Sequence, residues 1–74
     1  MKVYRQEQRK DGREKWDEGI EDTSVNVIIN NIFEMIERHH TITDEEFSEL
    51  EKELVGTRQC RYDTTTYRIT VREE

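Results

Sequence analysis

The sequence predicts a small α+β domain of order ββααββ, an antiparallel four-stranded sheet with two helices on one face. Three observations carry this. Apolar residues recur at helical spacing from Val25 to Ile36 and again from Phe47 to Leu54. The C-terminal segment alternates as a strand, with Tyr67, Ile69 and Val71 on one side and Thr66, Arg68, Thr70 and Arg72 on the other. An Asp-Gly pair at 11–12 marks a tight turn between two N-terminal segments.

The N-terminal part, residues 1–19, reads as a β-hairpin. Its strands flank Lys10-Asp11-Gly12-Arg13 and cover Val3–Arg9 and Glu14–Glu18. Val3 shares a face with Arg5 and Glu7, and Tyr4 shares the other with Gln6 and Gln8. The alternation is poor and the residue types favour helix. The turn, and Gly19 before the next element, decide for strands. Trp16 and Ile20 are expected to anchor the hairpin to the core.

Residues 20–56 read as two helices. Asp22, Thr23 and Ser24 are all good caps for the first. Its stripe is Val25, Ile28, Ile29, Ile32, Met35 and Ile36, widened by Val27 and Phe33, and it ends near Arg38-His39-His40. The cations suit the negative end of a helix dipole. The second helix opens on a capping box, Thr43 with Glu46, and on an Ile42–Phe47 staple. Phe47, Leu50 and Leu54 form its apolar face, and Gly56 is placed to stop it in a left-handed conformation.

Residues 57–74 read as a second hairpin, Arg58–Asp63 and Thr66–Arg72, joined around Thr64-Thr65. Cys60 and Tyr62 face the core, and the Thr and Arg residues leave one side of the sheet in water.

A chain of 74 residues allows one domain, 1–74, with a thin margin of stability. Only 31% of it is hydrophobic and 41% is charged. Clustering of the apolar residues and six aromatics favour folding. A homodimer is one natural way to enlarge so small a core, though nothing in the sequence demands it. A single cysteine excludes an internal disulfide, and no apolar run is long enough for a signal peptide or membrane span. Both point to a cytoplasmic protein with no membrane partner.

The chemistry is mostly excluded. His39 and His40 are neighbours, and adjacent helical side chains diverge by about 100°, so they make a poor metal pair. No nucleophile motif, phosphate-cradling loop or cofactor motif is present, and neither enzyme activity nor a metal or cofactor is expected.

Charge is the informative feature. The net charge is −6, yet Gly19–Gly56 holds ten acids against two bases. The helical layer is therefore acidic, and the sheet near neutral and rich in arginine. An acidic face repels phosphate and attracts a basic partner surface. The expected function is a protein-interaction module, an inhibitor or adaptor. In size and acidity it is of the kind met in small accessory proteins of phages and other mobile elements, and no motif ties it to a family. Its partner-binding residues would be Glu45, Glu46, Glu49 and Glu53, with Trp16 as a further anchor. The alternatives are a nucleic-acid binder using Arg58 or Arg61 with Arg68 and Arg72 on the outer sheet face, which the overall acidity disfavours, and a structural protein self-associating through a strand edge.

Overall fold

The computed structural model describes residues 1–74. In chain order these form β1 (Lys2–Lys10), β2 (Asp17–Asp22), α1 (Val25–Glu37), α2 (Asp44–Thr57), β3 (Gln59–Tyr62) and β4 (Thr65–Glu73). The strands make one antiparallel sheet in the order β2-β1-β4-β3. Both helices cover one face of it, as the sequence predicts. No helix is long and apolar enough to cross a membrane.

The apolar stripe of α1 supplies half of the core: Ile28, Ile29, Ile32, Phe33 and Ile36 are all buried. They meet Leu50 and Leu54 from α2 and Cys60, Tyr67 and Ile69 from the sheet. Val27, expected in the stripe, instead faces solvent. The two helices meet through Phe33 and Phe47, whose rings stack with centroids 4.4 Å apart. Thr43 and Glu46 form the expected capping box. The Glu46 amide donates to the Thr43 hydroxyl at 3.2 Å, and the Thr43 amide donates back to the Glu46 carboxylate at 3.3 Å. Such a cap contributes about 1 kcal/mol. At α1, Ser24 is the cap residue but makes no side-chain cap bond. Asp22 instead accepts from the Ser24 amide at 2.8 Å.

The register assigns side chains to faces, because residues paired across antiparallel strands project the same way. Tyr4 pairs with Val71, Gln6 with Ile69 and Gln8 with Tyr67 on the helix side. Val3 pairs with Arg72, Arg5 with Thr70, Glu7 with Arg68 and Arg9 with Thr66 on the open side. The strongly polar β1 is an inner strand, and this buries Gln6 completely. Its amide is satisfied by Asn31 and Met35 of α1: Asn31 donates to the Gln6 carbonyl, and Gln6 donates to the Met35 sulfur.

Three local expectations are corrected. The second strand begins at Asp17 and runs to Asp22, so Gly19 lies inside it and the hairpin extends past residue 19. Arg5 pairs with Glu21 and Glu7 with Glu18, which leaves Gln6 alone opposite Gly19 and Ile20, a β-bulge. A side chain at 19 would put its Cβ 3.2 Å from the Gln6 Cβ and carbonyl oxygen. Ile20 does not anchor the hairpin, being 41% exposed. Gly56 does not stop α2. The helix continues to Thr57, and Arg58 takes the left-handed conformation at φ 60° while its amide reaches the Leu54 carbonyl. The predicted Asp-Gly turn is present, with Gly12 at φ 84° and the Arg13 amide bonded to the Lys10 carbonyl at 3.1 Å.

Candidate functional site

α2 presents six acids, Asp44, Glu45, Glu46, Glu49, Glu51 and Glu53, against Lys52 alone. Helical spacing of three and four puts Glu46, Glu49 and Glu53 along one side. There they border a groove of about 200 Å³ with Leu50, facing Arg61 and Tyr62 of β3. Glu45 lies one turn below Glu49 on the outer side of this ridge and is exposed. Burial, with the Glu46 charge adding to it, raises the Tyr62 phenol above its ordinary range.

None of these acids is ion-paired. Every ion pair in the molecule has both partners outside α1 and α2. Four of the five arginines of the sheet, Arg5, Arg61, Arg68 and Arg72, close on carboxylates instead. Glu21 accepts from Arg5 at 2.8 Å and from Arg72. Arg5 also reaches Glu18 at 3.1 Å, and Arg72 reaches Glu74 at 2.7 Å. Arg68 donates to Glu7 at 2.7 Å, and Arg61 pairs with Asp11 at the β1–β2 turn. The Arg72 and Arg5 hydrogen bonds hold the Glu21 carboxyl down at about 2.

Of the predicted nucleic-acid set, Arg68 and Arg72 share the open face, each held by a carboxylate, while Arg61 on the edge strand β3 pairs with Asp11 and also borders the groove beside α2. Arg58 is not with them. It flanks β3 on the helix side, with its guanidinium 5.9 Å from the Tyr4 ring centre. Trp16 is not in the core and not beside the acidic ridge. It lies across the sheet from the helices, on the open face, with Arg68 at 3.7 Å and Arg9 at 5.1 Å from its ring centre. No sequence periodicity signals that contact, because Trp16 sits in a loop that folds back over the strands.

Cys60 is buried as expected, and burial first, then the nearby Glu53 charge, pushes its thiol up to about 12. Such a thiol is inert as a nucleophile at neutral pH. No three His, Cys, Asp or Glu side chains converge as metal ligands. The edge strand β2 carries Asp17, Glu18, Glu21 and Asp22, which opposes pairing with a second copy of itself. No protein-family model, curated protein or solved structure matches this chain, so the functional reading rests on how its charges are arranged.

Proposed function

We propose that the protein is an interaction module that captures a partner with a basic surface through the glutamate ridge of α2. One observation carries this reading: the acids of the helical layer are unpaired, while the arginines of the sheet are engaged within the molecule. Unpaired like charges in one ridge raise the local potential, speed encounter with a cationic surface and select against anionic ones. An arginine already bonded to a carboxylate must give up that bond to meet a phosphate. This weighs against nucleic-acid binding through Arg61, Arg68 and Arg72. The groove beside the ridge, floored by Leu50, adds a small apolar contact to the charged one. Inhibition or adaptation of a basic protein is the activity such a surface serves.

The test is affinity capture from the native host's lysate after nuclease treatment, with the parent and a Glu45→Lys/Glu49→Lys/Glu53→Lys variant compared at two salt concentrations. The expected result is a nuclease-resistant protein partner that is lost with the variant and weakened by salt. Equal capture by a folded variant refutes the ridge, and recovery of nucleic acid moves the function to the sheet.

A further inference from the structure

At the far end of the sheet, α1 runs out against the end of β1 and the β3–β4 turn. A cleft of about 340 Å³ opens there. Its lining includes Lys10, Arg38, His39 and His40, together with the rings of Tyr62 and Tyr67. Asp63 is the sole acid of the lining. In a chain of net charge −6 this is an inversion of sign. It also differs from the open face, where Arg5, Arg68 and Arg72 are each bonded to a carboxylate. Neither Lys10 nor Arg38 takes part in any ion pair. His40 contacts Asp63 at 3.7 Å and packs edge-to-face on Tyr62, with ring centroids 5.1 Å apart.

A helix C-terminus normally disfavours an anion, because its last carbonyls are unpaired. Here the Glu34 carbonyl accepts from the Arg38 backbone amide, and the Ile36 carbonyl accepts from the backbone amides of both His39 and His40, which leaves their side chains free of these bonds. The chain thus turns back on its own helix end and lifts two histidines and an arginine to the cleft.

We infer that this cleft is a binding site for a small phosphate monoester carried on a planar ring, a ligand of mononucleotide size. Lys10 and Arg38 are the cations for the phosphate, and the His40–Tyr62 wall is the surface for the ring. The volume sits at the low end of the roughly 300–1,000 Å³ range of ligand sites, which fits one nucleotide and not two. The cleft shares Tyr62 alone with the groove beside the glutamate ridge and does not rest on that reading.

The experiment is an amide NMR titration of the full chain with adenosine 5′-monophosphate, with adenosine and inorganic phosphate as parallel arms. The expected result is saturable shifts at residues 10, 38–40 and 62–65, with the monophosphate binding more tightly than either fragment. Lys10→Glu/Arg38→Glu should weaken it by roughly tenfold or more, since two charged hydrogen bonds are lost. Lys2→Glu/Lys52→Glu, with the same change in net charge, should leave it within roughly threefold, because neither residue lines the cleft and exposed charges are screened by salt. The amide spectra report whether each variant stays folded. Four results would overturn the site: no localised shifts at millimolar ligand, shifts spread over the sheet arginines, equal weakening in both double variants, or tighter binding of a short oligonucleotide than of the mononucleotide.

Discussion

The guanidinium of Arg68 lies 3.7 Å from the centre of the Trp16 indole, and its Nε donates to Glu7 at 2.7 Å. One side chain therefore pins the β1–β2 loop and links the two inner strands. Trp16 is the sole tryptophan, so its fluorescence reports on this corner of the open face, where Arg68 is the nearer of two guanidiniums. Arg68→Ala should shift the emission to the red and lower stability by about 1–2 kcal/mol, from the lost cation–π contact and the stranded Glu7. Arg68→Lys should recover less than half of the loss, because an ammonium does not stack as a guanidinium does. Parent-like emission from Arg68→Ala would contradict this arrangement.

Acid should loosen the open face before it affects the core. The Glu21 carboxyl, bonded first by Arg72 and then by Arg5, is held at about 2 against an ordinary 4.5. The unfolded chain takes up that proton more readily than the folded one. The stability this carboxylate contributes is thus complete above pH 4.5 and is lost as the pH falls toward 2. Urea midpoints measured across that window should fall more steeply for the parent than for Glu21→Gln. Parallel slopes would show that the pairing contributes nothing in solution.

Two glycines should respond with opposite sign. Gly19→Ala forces a Cβ to within 3.2 Å of the Gln6 Cβ and carbonyl oxygen in the bulge. It should cost about 1–3 kcal/mol, as overpacking does. Gly56→Ala meets nothing within 4 Å and lies in the last turn of α2. It should stabilise by about 0.5–1 kcal/mol through helix propensity. Thermal melts of the two variants against the parent check both signs.

Cys60 offers a clock for opening of the core. It is 2% exposed and its thiol is pushed up to about 12. A thiol reagent at neutral pH should label the native protein only as fast as β3 and α2 part, and denaturant should accelerate labelling in step with unfolding. Native labelling at the rate of a free thiol would mean that the α2–β3 seam is open.

The elements that a local signal specifies were legible in the sequence. The capping box needs only residues three apart, and the α1 stripe needs only its own period. The acidity of the helical layer was equally plain, since it follows from composition and element order. What was hidden depends on residues far away in the chain. β2, with the sequence Asp17-Glu18-Gly19-Ile20-Glu21-Asp22, has no apolar alternation, and β1 alone defines it as a strand. Gly19 reads as a break because glycine often is one, yet here it lets Gln6 approach. Gly56 reads as a stop, but Arg58 meets the Leu54 carbonyl instead. Trp16 reads as a core anchor from its size, and only the pairing of β1 with β4 brings Arg68 to it. The same pairing sets Glu7 beside Arg68, and the β1–β2 pairing sets Glu21 beside Arg5, which no count of charges reveals.

The two inner strands are the first and last of the chain order, and this governs how the molecule can be made. β1 is made before β4 and has no neighbour on that edge until β4 follows. During that wait it is a naked edge, the state in which strands usually aggregate. Its central run, Arg5-Gln6-Glu7-Gln8-Arg9, is polar and charged throughout, and charged residues on a bare edge oppose pairing with a second copy. The polarity that makes β1 look unlike a strand thus gives it the kind of edge that resists self-pairing before β4 arrives, and the Gln6–Asn31 bond is how the finished fold accommodates it.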